Sequence, residues 1–284
     1  MTIDDLHTIQ EIDTEMLKYV TDICSRNGIK YYLLYGTLLG AVRHHGPIPW
    51  DDDVDIGMTR ENYNKFLKVL DDEISKDERG SQYAYRIMGS GNAEVSTELK
   101  FYKKDTLYCV SGSEDLDIMK HVQLDVFVID YIKEQSETLQ SVLFKFRNFL
   151  RIAKLSWSEK QLMIVYIKRS NHRIKWVYII ALYILNIIRF VFHEKTIEKL
   201  IFNMFVDKSS SSPVMAALGA GTCRAWQSIW FKSTDNICYD DKLYLVPKGY
   251  TDFLIAEYGD YLTIPPEDKR YRKDFDDIIF RMGE

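Results

Sequence analysis

Four carboxylates fall within five consecutive positions of this 284-residue chain: Asp51, Asp52, Asp53 and Asp55. Asp53, Val54, Asp55 and Ile56 alternate acid and apolar, so on a strand both carboxylates share one face and both aliphatics the other. Neighbouring carboxylates repel one another, and burying one without a partner is costly. A cation resolves that conflict, and all-oxygen ligation suits magnesium or manganese. An acidic run is ordinarily a solvated turn, but three features set this one apart. Its acids are flanked by apolar residues on a predicted strand. Pro47 and Pro49 fix the approach, each locking its own φ and restricting the residue before it. Upstream, Gly36-Thr37 follows the apolar run 31–34, and a small-residue turn there lets a phosphate approach backbone N–H groups closely.

These groups need elements to hold them. Leu6, Ile9, Ile12, Met16, Tyr19, Val20 and Ile23 recur at helical spacing. They predict a helix over 3–27, stopped by Asn27-Gly28, that packs on the first strand with no chemistry of its own. The strand at 31–34 then leads through a turn and a loop into the acids. Thr59 is expected to N-cap a helix to about Leu70, with DDEISKDERGSQ as a solvated connection. ELKFYKK and TLYCV, turning at Asp105, predict a hairpin from which Lys100 either reaches a phosphate or stays solvated; Lys103 is expected to be solvated. HVQLDVFVID predicts a strand in which Asp125 sits among apolar neighbours and needs a partner, while Asp130 caps the end. A helical pattern follows to about Val206, then a Ser-rich loop at 207–215 and short strands over 216–245. Pro247 marks a turn before a helix to Tyr258, closed by Gly259.

Gly36-Thr37, a spacer, then Asp53-Val54-Asp55-Ile56 resembles the nucleotidyltransferase superfamily pattern of Gly-Ser/Thr followed by Asp-apolar-Asp-apolar. The fuller string GTLLGAVRHHGPIPWDDDVDI resembles the LicD family of choline-phosphate transferases, which decorate bacterial cell-surface glycans and share a core with fukutin-related proteins. The likeness is near-continuous from Tyr35 to Met58 and weaker through Asp125 and from Val246 to Arg270. It implies an α+β fold, a nucleotidyltransferase-like mixed sheet flanked by helices, with a largely helical insertion. The implied divisions are a catalytic core at 1–132, a basic insertion at 133–237 and a segment at 238–284 packing back on the core.

The resemblance further implies transfer of phosphocholine, or a similar phospho-alcohol, from CDP-choline or a related CDP-alcohol. The acceptor would be a hydroxyl of a teichoic acid, lipopolysaccharide or capsule, free or lipid-linked, and CMP would leave. Asp53, Asp55 and Asp125 would hold Mg2+ or Mn2+, because this superfamily draws its third acid from a neighbouring strand. Gly36 and Thr37 would bind donor phosphates, Lys100 could reach one from its sheet, and Arg43 would offset charge on the leaving CMP. Trp50 would stack on cytosine or cap the core. Asp51 or Asp52 would accept the proton of the attacking hydroxyl, or orient its neighbours from behind. His44 and His45 are expected to shape the turn, and Lys248 is a further candidate to face the site. The rivals are a nucleotidyltransferase acting on a sugar or small molecule, and a non-catalytic metal- or nucleotide-binding regulator.

The chain is long enough for a full core, and 46% hydrophobic with 28% charged residues is ordinary for a globular protein. Cys24, Cys109, Cys223 and Cys238 form no CxxC pair and are expected to be reduced, buried thiols. The acidic N-terminus lacks the basic-then-apolar order of a signal peptide, which predicts a cytoplasmic protein, free or peripheral at the inner membrane face. Net charge is −5, yet residues 133–175 carry ten Lys or Arg against three Glu, a local +7 that leaves −12 elsewhere. Such a block points to an anionic partner. An acidic chain with no recognised motif argues against nucleic acid. The run WVYIIALYILNII between Lys175 and Arg189 is shorter than the roughly 20 apolar residues a spanning helix needs. It reads as a core helix whose basic, aromatic flanks would also suit an interfacial one.

Overall fold

The computed structural model describes residues 1–283 apart from 77, 90, 117, 170–173, 192, 222 and 271–274, and at 188–191 the backbone alone. Arg173 and the Arg189 side chain of the basic segment therefore lie outside the described residues. Helix α1 (Ile3–Arg26) starts at a capping box: Asp5 N–H donates to Thr2 Oγ1 at 3.1 Å and Thr2 N–H to the Asp5 carboxylate at 2.7 Å. Next come β1 (Tyr32–Leu33), α2 (Tyr35–Arg43), β2 (Val54–Thr59) and α3 (Arg60–Lys76). They lead to β3 (Tyr83–Ile87), β4 (Glu98–Lys103), β5 (Thr106–Val110) and β6 (Gln123–Tyr131). Helices α4 (Glu137–Lys154), α5 (Trp157–Arg169), α6 (Lys175–Val191) and α7 (Glu194–Phe205) follow. The chain then forms β7 (Val214–Ala217), β8 (Trp226–Gln227), β9 (Thr234–Tyr239), β10 (Lys242–Pro247), α8 (Tyr250–Tyr258) and β11 (Ile278–Met282). The fold is α+β with a mixed sheet, as expected.

The main sheet has seven strands among the described residues, in the order β1-β2-β6-β4-β3, with β7 and β8 attached through β6. Strand β6 is its centre. It pairs in parallel with β2 along one edge, and along the other it pairs antiparallel with β4 and then β7. Leu124 and Val126 to Ile129 are buried accordingly. Helix α1 lays Ile9, Ile12, Met16, Leu17, Val20 and Ile23 into the same core.

Three expectations are corrected. The stretch after Leu34 is no turn and loop but helix α2, because Leu38, Leu39 and Ala41 bury together on one side. Helix α3 runs past Leu70 to Lys76, its DDEISK turns adding half-buried Ile74 to an otherwise solvated face. Strands β4 and β5 are not paired as a hairpin. Both edges of β4 are taken, by β3 and β6, so β5 pairs antiparallel with β11 instead.

Helices α4–α7 carry two smaller apolar clusters, one including Leu150, Ile197, Ile201 and Phe205, the other Ile164, Ile179 and Leu182. Part of the basic block is spent inside them. Arg147 is fully buried and donates to the Leu218 and Ala220 carbonyls. Lys160 is also fully buried and caps carbonyls at the end of α4, Ala153 at 3.1 Å and Leu155 at 2.6 Å. Lys154 pairs with Glu198 at 2.8 Å and Arg169 with Asp277 at 2.9 Å. Helix α6 is no core helix: Ile179, Leu182 and Leu185 are buried, but Trp176, Val177, Ile180, Tyr183, Ile184 and Ile187 face out. No helix among the described residues is long and apolar enough to cross a membrane. Cys24 and Cys109 are buried free thiols; Cys223 is half-buried and Cys238 exposed, against expectation.

Candidate functional site

Three adjacent strands set Asp55, Asp125 and Lys100 in one row, since Asp55 registers with Asp125 across β2 and β6, and Asp125 with Lys100 across β6 and β4. The Lys100 ammonium donates to both Asp125 oxygens, at 2.7 and 2.6 Å, and pairs with Glu98 at 2.8 Å. Lys100 is thus placed on Asp125 rather than in the open cleft. Burial raises the Asp125 carboxyl to about 7, outweighing the opposing pull of Lys100. Burial, with Asp53, Asp125 and Asp51 nearby, holds Asp55 well above the usual carboxylate range. Burial alone would lower Lys100, but Asp125 and Glu98 hold it above its ordinary value.

The first turn of α2 is fastened to this row. Asp55 N–H donates to Thr37 Oγ1 at 2.8 Å, so the Thr37 hydroxyl is engaged with the strand. Gly36 lies directly beneath Asp51. A Cβ added there would stand 2.4 Å from Asp51 Oδ2, so this position accepts only glycine while the carboxylate stays in place. One oxygen from each of Asp51, Asp52 and Asp53 lies within 4.8 Å of the others. Tyr108 on β5 donates to Asp52 Oδ2 at 2.5 Å. The Gln10 amide of α1 ties down the acid loop by donating to the Ile48 carbonyl at 3.0 Å and the Asp51 carbonyl at 2.8 Å. Burial, together with Asp53 and Asp52, lifts Asp51 well above the usual range. A hard, oxygen-only donor set of clustered carboxylates fits magnesium or manganese.

The acids form the floor of a cleft of about 660 Å³, and its opposite wall comes from the C-terminal segment: Tyr258, Asp260, Tyr261, Thr263, Pro265, Lys269 and Arg270. Arg43 donates to the Tyr261 carbonyl at 2.9 Å and the Thr263 carbonyl at 3.4 Å, pinning that wall to the end of α2. Burial lowers Arg43 below its ordinary value. Trp50 lines the cleft with Arg270 5.1 Å and Arg43 6.0 Å from its ring centroid. His44 meets Trp50 edge-on, and the His45 carbonyl accepts from Asp240 N–H, so both histidines shape the loop. Lys248 points elsewhere and sits 3.6 Å from exposed Asp235. Asp130 does more than end a strand: it is buried in a pair with Arg60 at 2.5 Å.

Sequence reasoning missed Asp13, Tyr108, Lys269 and Arg270. Asp13 had a signal: it lies four residues from both Ile9 and Leu17 on the buried stripe of α1, where an acid is out of place. It is 1% exposed, and neither of its oxygens has a hydrogen-bond partner among the described residues. Burial and then Asp53, Asp52, Asp51 and Asp125 raise it well above the usual carboxylate range. Lys269 and Arg270 fall within the likeness that ends at Arg270, but only tertiary packing brings them, and Tyr108, to the acids.

Residues 28–165, which hold every element of the acid floor except α1, match the domain described as "LicD/FKTN/FKRP, nucleotidyltransferase domain". The chain is similar to the lipopolysaccharide cholinephosphotransferase LicD of Haemophilus influenzae, 24% identical over 265 residues that cover 91% of this chain and 92% of that protein. An uncharacterised protein of Rickettsia typhi is 35% identical over 115 residues, 40% of this chain and 30% of that one. The ribitol 5-phosphate transferase FKRP of Mus musculus is 36% identical over 101 residues, 32% of this chain and 20% of FKRP. Domain match, full-length likeness and the acid floor agree, and residues 28–165 carry the nucleotidyltransferase domain of the LicD/FKTN/FKRP family.

Proposed function

We propose that this protein transfers a phospho-alcohol, phosphocholine in the first instance, from a CDP-activated donor to a hydroxyl of a cell-surface glycan and releases CMP. The observation that carries this reading is an anionic floor opposed by a cationic, aromatic wall within one cleft. Asp51, Asp52, Asp53 and Asp55, with Asp125 beside them, would hold magnesium or manganese, which supplies charge neutralisation for a pyrophosphate. The remaining work falls to the chain's own groups. Amides of the first α2 turn, at Gly36 and Thr37, meet phosphate oxygens. Arg43, Lys269 and Arg270 offset negative charge on the departing CMP, and Trp50 offers a face to the base. The acceptor oxygen forms a bond to the phosphorus carrying the alcohol as the bond to the CMP oxygen breaks. The hydroxyl proton passes to a carboxylate oxygen of Asp51 or Asp52 that does not hold the ion, and Tyr108 keeps Asp52 in place.

The acceptor side of this reading includes a membrane surface. Trp176 (63% exposed), Ile180, Ile184 and Ile187 (66%) present an apolar stripe on α6. Between Glu159 and Glu194 the sequence has no acidic residue, while Lys168 and Lys175 flank the stripe. A second copy laid on this face would oppose cation to cation; an anionic lipid surface complements it.

The deciding assay is CMP release from CDP-choline with magnesium and a surface-glycan acceptor, beside EDTA and Asp53→Ala controls. Release that requires acceptor, metal and Asp53 supports the proposal. Release from CDP-ribitol or CDP-glycerol instead changes the donor alone. Pyrophosphate release, with the nucleoside monophosphate left on the product, replaces it by nucleotidyl transfer.

A further inference from the structure

The acids facing the cleft do not account for Asp13. This carboxylate is fully enclosed, accepts no hydrogen bond on either oxygen, and has no ion pair among the described residues. Buried polar groups are almost always partnered, because an unpartnered one forfeits its hydration for nothing. Packing gives no reason for it either, since any aliphatic side chain would serve between Ile9 and Leu17. Asp13 instead opens onto a cavity of about 10 Å³ shared with Gln10, Gly36, Thr37, Asp51 and Asp53. That is room on the order of one water or one bare ion. None of the wall residues named above lines this cavity, and Gln10, one helical turn before Asp13 on α1, holds the acid loop by two hydrogen bonds.

We infer that Asp13 is a carboxylate of the cation site, supplied by α1 from its inner side, in contact with the ion directly or through one water. This rests on the cation reading of the acid floor given above, and extends it to a helix outside the residues matched by the family domain. Asp13 would close the site from α1 as Asp51 and Asp53 would from the acid loop, so that a bound ion would tie α1 to that loop.

The test is a titration of the full chain with Mn2+ alone, following free manganese by electron paramagnetic resonance, with thermal melts run with and without the ion. Wild type, Asp13→Asn, Asp13→Ser and Asp53→Asn are compared. Asp13→Asn is expected to weaken Mn2+ binding by about 10- to 100-fold, the range for groups supporting a metal's ligands. Its metal-free melting temperature should equal or exceed wild type, and its manganese-induced rise should shrink. Asp13→Ser carries the same comparison should the asparagine variant fail to fold. If both Asp13 variants bind Mn2+ as wild type does while Asp53→Asn does not, the cation site stands and Asp13 is no part of it. If both melt lower without metal and bind Mn2+ normally, Asp13 is a structural residue. A wild-type chain that takes up no Mn2+ overturns this inference together with the cation reading.

Discussion

At the scale of single residues, two glycines of α2 separate function from stability. Alanine at Gly36 meets only the Asp51 carboxylate, which can swing aside, whereas alanine at Gly40 would meet the Gly46 backbone carbonyl at 2.5 Å. Gly36→Ala should therefore melt near wild type but lose roughly 10- to 100-fold in turnover, as displaced catalytic groups do. Gly40→Ala should unfold more easily by about 1–3 kcal/mol, with less effect on turnover per folded molecule. Chemical denaturation and CMP release, measured on both, check the contrast. The carboxylates give a pH signature as well. Asp125 is raised to about 7, and Asp51, Asp55 and Asp13 are also held well above the usual carboxylate range. The folded state thus binds more protons than the unfolded chain above about pH 4, where exposed carboxylates ionise. Stability of the metal-free protein should be full below that point and fall as pH rises through about 7. Added Mg2+ or Mn2+ should reverse the loss, and more strongly at higher pH. Thermal melts between pH 5 and 8, with EDTA or metal, measure both slopes.

At the scale of elements, Arg60 is the fastening between the start of α3, the end of β6 and the connection before β4. Its guanidinium holds both Asp130 oxygens, at 2.9 and 2.5 Å, and donates to the Ser96 carbonyl at 2.6 Å. Arg60→Ala leaves Asp130 buried and unpaired, so equilibrium unfolding should show a loss of about 3–5 kcal/mol. Much at this scale was legible in advance. The α1 stripe, the β6 strand and the α8 helix closed by Gly259 have periodicities or stop signals that belong to the local chain. The helix that starts at Tyr35 and the β5–β11 pairing did not. Each is decided by which edge or face is still open once the other elements have packed. The acid loop was legible because charge repulsion is written in adjacent letters. The wall that opposes it, and the carboxylate behind it, come from residues far away in sequence.

At the scale of the molecule, charge is divided. The acids converge on one cleft, while residues 160–193 carry Lys and Arg but no acid, beside the exposed apolar stripe of α6. With membrane contact, the chain should float with vesicles containing anionic phosphatidylglycerol and not with phosphatidylcholine alone. Replacing Trp176, Ile180 and Ile184 by serine should cut flotation at least about fivefold, as should added salt. Absence of flotation for the unaltered chain would remove that part of the proposal.

The pairing of β5 with β11 also sets an order of events in the cell. Tyr108, which steadies Asp52, stands on a strand whose partner is Ile278–Met282, and the cleft wall is drawn from 258–270. A nascent chain emerging from the ribosome would expose the acid loop early. It would lack the wall and the strand behind Tyr108 until synthesis had passed residue 282. Interrupted translation products should therefore be inert towards an activated donor, so that incomplete copies do not squander it.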